Sequence, residues 1–256
     1  MIIATFNANS IRSRVKFITD WLAANQPDVL CVQETKVQDE KFPVEIFEQS
    51  GYEFVFRGEK AYNGVAIFSR SGISDVVFGL DDEPHDEARM ITAQVNGITV
   101  VNTYVPQGTA PDSEKFLYKL EWYMRLREHF NKNFSPDEPI LWVGDLNVAM
   151  DERDVHNPKS AWGSVCYCQE TINAMNNVID WGFTDVFRMH NQEDGQFTFW
   201  DYRVKNGFKR NAGWRLDYIM ATRPLAESCT RCWVDKEPRA LDKPSDHTFL
   251  LAEFDL

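Results

Sequence analysis

No stretch of this sequence approaches the roughly 18 consecutive apolar residues that a membrane-spanning helix requires, so a bilayer-spanning reading is set aside. The first ten residues, Met1 to Ser10, contain two isoleucines and then turn polar, so they lack the apolar core of a secretory signal, and a cytoplasmic protein is expected. The glycine-rich phosphate loop, the G-x-G-x-x-G dinucleotide turn, the G-x-S-x-G nucleophile elbow and the H-E-x-x-H zinc helix are all missing. Their absence argues against P-loop nucleotide hydrolysis, Rossmann-type redox chemistry, serine esterase chemistry and zincin proteolysis. No Gly-, Pro- or Ser-rich linker, internal repeat or low-complexity segment interrupts the chain, so one domain over residues 1–256 is expected.

Cysteine is scarce, and positive charge is outnumbered. The five cysteines fit a reducing compartment. Cys31 lies in the apolar run DVLCVQE and reads as a small buried hydrophobe. Cys166 and Cys168 form a C-x-C, and Cys229 and Cys232 a C-x-x-C, but no histidine stands near either pair and reduced thiols fit better than zinc. With 27 Lys and Arg against 39 Asp and Glu, the net charge of −12 argues at first against a nucleic-acid partner. The distribution qualifies the sum: between Tyr202 and Leu216, Arg203, Lys205, Lys209, Arg210 and Arg215 occur with no acid among them. Carboxylates gathered around a bound cation also make a chain acidic while reversing the sign of the field at the site.

Apolar material is plentiful, with 43% hydrophobic residues, eighteen Phe and eight Trp, enough for a large core. The runs Ile2 to Phe6, Val29 to Val32, Tyr52 to Phe56, Val65 to Phe68, Met90 to Val95, Ile98 to Tyr104, Ile140 to Val143, Leu216 to Met220 and Thr248 to Phe254 predict strands, rich as they are in β-branched and aromatic residues. Helical spacing of apolar residues predicts helices from Val15 toward Leu22, over Phe116 to Phe130 and over Glu170 to Trp181. Asn63-Gly64 and Asn96-Gly97 predict hairpins, so the sheets should be mixed, stacked and flanked by helices.

Polar residues recur where these strands end, which is where loops present groups to a cleft. Asn7 ends the first strand and Glu34 the second, Asp145 and Asn147 follow the run ILWVG, Asp217 stands in Arg215-Leu216-Asp217-Tyr218, and Asp246-His247 precede the last strand. Any one of them could be an ordinary turn or cap residue. As a set they offer hard oxygen ligands for magnesium or manganese, an Asp–His pair that can orient water or polarise a phosphate, and amide and phenol donors for a developing charge. Metal-assisted hydrolysis of a phosphoester is the chemistry this inventory performs best.

The segments FNANSIR, QPDVLCVQETKVQDEKFP, YNGVAIFSR, NTYVPQG, GDLNVA, GFTDVFR, FTFWDYR, GWRLDYI and KPSDH together resemble the exonuclease III and AP endonuclease branch of the endonuclease/exonuclease/phosphatase superfamily. The resemblance implies a DNase I-like four-layer α/β sandwich, two packed mixed β-sheets flanked by helices. It also implies that Glu34 binds Mg2+ (or Mn2+), with Asn7 bonded beside it and Asp246 acting through water. Asp145 would activate water or handle the leaving-group proton, Asn147 and Tyr104 would hold the scissile phosphate, and His247 held by Asp217 would contact that phosphate or the water. Phe199, Trp214 and Leu216 would form an apolar pocket for a flipped-out baseless sugar, which excludes an intact nucleotide. Arg203 and Arg215 would flank it and contact phosphates.

The same resemblance implies a monomeric nuclease acting on double-stranded DNA: cleavage 5′ to abasic sites, 3′-5′ digestion and removal of blocking groups at damaged 3′ ends. The stretch SAWGSVCYCQETINAM carries Thr171 where relatives commonly have Arg, and Gln107 stands where some have Asn, so the balance among these activities could shift toward 3′-end processing. A superfamily phosphatase acting on a small molecule is the rival enzyme, opposed by GWRLDY and the basic stretch. A non-catalytic DNA-binding protein would tolerate loss of Glu34, Asp145, Asp217 or His247, and all four are present.

Overall fold

The structure, a computed structural model, describes residues 1–80 and 87–256. Twelve strands are described: β1 (Ile2–Asn7), β2 (Val29–Gln33), β3 (Glu53–Arg57), β4 (Val65–Ser69), β5 (Ser74–Phe78), β6 (Met90–Val95), β7 (Ile98–Tyr104), β8 (Ile140–Asp145), β9 (Phe183–Asp185), β10 (Asp217–Thr222), β11 (Cys229–Asp235) and β12 (Phe249–Phe254). They form two six-stranded sheets, ordered β11-β12-β1-β2-β4-β3 and β5-β6-β7-β8-β10-β9. In each sheet one central pair is parallel, β1 with β2 and β7 with β8, while the remaining pairs are antiparallel. The expected mixed sheets are therefore present.

Alternation along the strands builds the layers. Ile3, Val29, Cys31, Val65 and Ile67 of the first sheet meet Ile91, Ala93, Val100, Leu141, Val143 and Ile219 of the second in a dry layer between them. The opposite face of the first sheet, with Ala4, Phe6, Leu30 and Val32, is covered by helix α1 (Val15–Asn25) through Ile18, Trp21 and Leu22. A short helix, α2 (Val44–Phe47), adds Phe47 to that layer. The outer face of the second sheet takes α3 (Glu114–Asn133) through Trp122, Tyr123, Leu126 and Phe130, with Met175 and Val178 of a later helix, Gln169–Ile179, packed alongside. Both faces of both sheets are thus covered, which is why the central strands read as unbroken apolar runs rather than alternating ones. Helix–sheet–sheet–helix is the DNase I-like four-layer sandwich expected.

Strands β6 and β7 occupy the predicted ranges, joined by Asn96-Gly97, whose φ angles of 52° and 77° are those of a type I′ turn. Asn63-Gly64 does not make a tight hairpin. It ends a longer loop between β3 and β4, where the Lys36 and Thr35 amides bond the Asn63 and Gly64 carbonyls at 2.9 and 3.1 Å. A Cβ on Gly64 would lie 1.9 Å from the Thr35 hydroxyl, so close backbone approach is what this glycine serves. The strands β5, β9 and β11 were not foreseen, and all three stand at sheet edges.

Candidate active site

The two parallel pairs point their C-terminal ends to one rim, and the antiparallel neighbours start there. In register, Asn7 is opposite Gln33, Tyr104 opposite Asp145, and Asp145 opposite Asp217. The turn before β12 is drawn to the same rim because the Ser245 hydroxyl donates to the Asn7 carbonyl at 2.7 Å. Gly144, with φ of 139°, precedes Asp145, and a Cβ there would stand 1.9 Å from the Thr103 carbonyl oxygen. Only glycine lets β7 and β8 approach this closely just before the carboxylate.

The Asn7 amide nitrogen donates to Glu34 Oε1 and to Asp145 Oδ2, both at 2.8 Å. Asn7 was expected on the metal side, bonded beside Glu34. Its amide nitrogen makes that bond and a second one to Asp145, while its side-chain oxygen accepts the Asn9 amide at 3.0 Å. It therefore sets the spacing of Glu34 and Asp145, and its side-chain oxygen keeps a second lone pair. Glu34 has φ of 51°, a left-handed conformation that costs a non-glycine residue about 1 kcal/mol and turns its carboxylate into the cleft. Burial alone would raise this carboxyl, but the Lys36 ammonium at 2.5 Å and the Asn7 amide hold it below the usual carboxylate range. Lys36 also donates to Asn9 Oδ1 at 2.5 Å, a role that its place in the segment QETK did not disclose. Asp246 Oδ1 accepts from Asn9 Nδ2 at 3.0 Å, on the same side of the cleft.

Across from Glu34, His247 Nδ1 bonds Asp217 Oδ2 at 2.8 Å, and its Nε2 points toward Asp145 Oδ2 at 3.7 Å. Burial opposes charge on the ring, yet Asp217 and Asp145 outweigh it and push the imidazolium pKa up to about 10. Burial, then the Asp217 and Glu34 charges, push Asp145 up to about 7 against the His247 charge and the Asn7 bond. Asp145, Asp217 and His247 lie within 4.8 Å of one another. The three groups form a buried cluster that could pass a proton or hold a cation, with the Glu34 carboxylate across the cleft. Glu34 and Asp246 both line the cleft and offer hard carboxylate oxygens of the kind that fit a divalent ion.

Tyr104 faces Glu34 with Arg89 stacked 5.0 Å from its ring, and burial followed by the two carboxylates raises its phenol well above the ordinary value, so it stays a donor. Asn147, at φ of 51°, donates its backbone N–H to Asp145 Oδ1 at 3.0 Å and its side-chain amide to the Val105 carbonyl at 2.9 Å. These groups line one cleft of about 660 Å³ together with Phe199, Arg203, Trp214 and Leu216. Leu216 is buried against Phe116, Val165, Cys166 and Cys168, with Phe199 and Trp214 half-buried beside them. Arg203 sits at the exposed rim, its fork on Asp201.

Arg215 departs from expectation. It is 1% exposed and bonds Asp154 and Asp185 at 2.7 and 2.8 Å, with its guanidinium 4.2 Å from the Tyr218 ring centre. Just before β10, Trp214 and Leu216 line the cleft, while Arg215 between them turns to the buried Asp154 and to Asp185. All five cysteines are buried free thiols.

A profile of the Endonuclease/Exonuclease/phosphatase family matches residues 4–247. The chain is 33% identical to an exodeoxyribonuclease III of Haemophilus influenzae, over 99% of this chain and all of that one. An AP endonuclease structure from Archaeoglobus fulgidus superposes with a TM-score of 0.98 at 48% identity, covering both chains fully. A 3′ phosphatase, NExo, from Neisseria, bound to a product DNA hairpin, superposes with a TM-score of 0.94 at 36% identity, again over the full length of both.

Proposed function

The chain belongs to the endonuclease/exonuclease/phosphatase family, as a hydrolase of its exodeoxyribonuclease III and AP endonuclease branch, and from that premise we propose that it is a DNA repair phosphodiesterase that cleaves duplex DNA 5′ to abasic sites. Digestion from 3′ ends and removal of 3′-blocking groups belong to the same proposal, because all three reactions present one phosphoester to one cleft. The observation that carries it is the juxtaposition of two sites in that cleft: the Asp217–His247–Asp145 group opposite Glu34, and the apolar wall of Phe199, Trp214 and Leu216. A baseless sugar fits against such a wall, whereas an intact nucleotide must also place its base.

In this reading Asp145, its raised pKa suiting a base near neutrality, takes the proton of the water attacking phosphorus as the P–O3′ bond breaks, and that proton goes on to the departing 3′-oxygen, leaving a 3′-hydroxyl and a 5′-phosphate. The charged His247, held by Asp217, donates from Nε2 to a phosphate oxygen, and Tyr104 and Asn147 donate to the same phosphate. Arg203 contacts the backbone at the rim. The family depends on divalent metal; we infer Mg2+, with Mn2+ able to replace it, held by Glu34 with Asp246 acting through water, where it would offset charge building on the phosphate. A monomer working in the cytoplasm completes the proposal, and among the described residues no helix is long and apolar enough to cross a membrane.

A duplex with one tetrahydrofuran abasic analogue and a matched duplex with a recessed 3′-phosphate, each incubated with Mg2+ or EDTA, test this. Mg2+-dependent incision 5′ to the analogue, lost in Asp145→Asn, is expected. Removal of the 3′-phosphate with an intact analogue would make the chain a 3′-end specialist. No reaction on either would sink the repair reading.

A further inference from the structure

Lys119 lies on the apolar stripe of α3 between Phe116 and Tyr123 and is 0% exposed. A lysine with no access to water must give all three ammonium protons to acceptors, because an unpaired buried charge is prohibitive. The acceptors here are three main-chain carbonyls: Asn147 at 2.6 Å, Val165 at 2.7 Å and Gln107 at 3.2 Å. Each belongs to a different segment, and all three residues line the cleft.

The Asn147 bond is one of a series. Tyr123, one turn further along α3, donates its hydroxyl to the Leu146 carbonyl at 2.6 Å, and Tyr218 of β10 donates to the Val148 carbonyl at 2.8 Å. Three consecutive carbonyls of the GDLNVA turn are therefore each caught by a buried side chain. The turn cannot otherwise satisfy them, since Asn147 is in the left-handed conformation and the turn forms no helix or ladder. On the other side, Val165 and Cys166 belong to the cluster that backs Leu216, Phe199 and Trp214. The Cys166 carbonyl accepts the Ala149 amide at 2.7 Å, so the same turn is tied to the same wall twice.

We propose that Lys119 is a positioning residue for the phosphodiester hydrolysis inferred above, its ammonium fixing the Asn147 backbone to the Val165 wall and the Gln107 rim so that the phosphate grip and the lesion pocket keep one spacing. This rests on the nuclease reading for its consequence, but not for its geometry. Lys119 touches no reacting atom, and its effect passes through where Asn147 stands. A shift of about 1 Å at such a group costs about 100-fold in turnover.

The test compares wild type with Lys119→Met, which keeps the length and removes the donors, at a temperature well below the melting point of either. Single-turnover incision of the abasic-analogue duplex and amide hydrogen exchange at Leu146 and Ala149, with Val143 of β8 as reference, are both read. We expect the saturating single-turnover rate constant to fall about 100-fold with the half-saturating enzyme concentration little changed, and exchange at Leu146 and Ala149 to accelerate while Val143 stays protected. Lys119→Arg, which keeps charge and donors, should recover part of that rate constant. A wild-type rate constant together with wild-type exchange in Lys119→Met overturns the proposal, as does a loss confined to melting temperature. If Lys119→Met does not fold, Lys119→Gln takes the same two measurements. Should wild type itself leave the duplex uncut, the nuclease reading fails, and the exchange data still decide whether Lys119 holds the turn.

Discussion

The carboxylates and the imidazole of this site differ in what surrounds them, and that difference supports the tasks proposed for them. Glu34 faces the Lys36 ammonium and is held ionised, as a cation ligand must be. Burial, with the Asp217 and Glu34 charges, pushes Asp145 up, which suits the base near neutrality proposed for it. His247 is held charged by Asp217. The pH dependence of turnover then has a definite sign. Below the Asp145 value, about 7 without metal and lower once a cation binds, the base is protonated and rate falls; above about 10 the imidazolium loses its proton and rate falls again. A bell-shaped kcat profile is therefore expected, and Asp217→Asn should move its alkaline limb to lower pH by removing the charge that supports His247. An unmoved alkaline limb in that variant, measured across pH 6 to about 11, would dissociate His247 from it.

At the scale of elements, the buried Arg215 is the residue whose place could be judged only by knowing which side of the segment leading into β10 the core covers. It connects β10 to the turn at Asp154 and to the end of β9 at Asp185, and Arg188 pairs with Asp154 from a third segment. Burial alone would raise the Asp154 carboxyl, but the Arg215 and Arg188 charges hold it below the ordinary value. Its folded pKa lies below its unfolded one, so its contribution to stability is complete above about pH 4 and is lost as pH falls through the folded value. Asp154→Asn removes a buried carboxylate from two guanidinium groups, leaving Arg215 only Asp185 and Arg188 only main-chain carbonyls, and should cost about 3–5 kcal/mol, or about 10 °C in Tm at this size. A scanning-calorimetry Tm within about 2 °C of wild type would contradict it. The pairs anchor the base of the segment carrying Trp214 and Leu216, so Arg215 supports the pocket from behind.

For the molecule as a whole, a charge of −12 beside a DNA partner is eased by the basic 203–210 rim and by the cation proposed for the cleft. Duplex DNA approaching the Glu34, Asp145, Asp217 and Asp246 cluster meets like charge until a divalent ion reverses the local sign. The uncleaving Asp145→Asn variant should therefore bind abasic duplex at least about tenfold more tightly in Mg2+ than in EDTA at matched ionic strength, by fluorescence anisotropy. Equal affinity in both buffers would show that the basic 203–210 rim alone carries binding.

How much of this was legible beforehand depends on what each feature needs. Central strands announced themselves because burial on two faces demands unbroken β-branched and aromatic runs, as in β6, β7 and β8. Strands β5, β9 and β11 did not, because an edge strand is defined by backbone pairing on one side and tolerates polar residues such as Ser74, Asp75 and Arg231. Asn7, Glu34, Asp145, Asn147, Asp217, Asp246 and His247 were readable as strand-end polar residues, and the structure brings them to one rim. Lys119 carried a readable signal, a lysine on the apolar stripe of a helix, which long flexible side chains normally disguise by reaching solvent.

By itself, then, the sequence determined the layered mixed-sheet architecture, the residue types of the site and the chemistry they permit, since hydrophobic period and functional-group inventory are local properties. Only the tertiary structure decided that Asn7 bridges carboxylates, that Arg215 turns inward and that Lys119 fastens three loops. Each of those depends on which groups from distant segments share a place without water, where every donor and charge must find a partner.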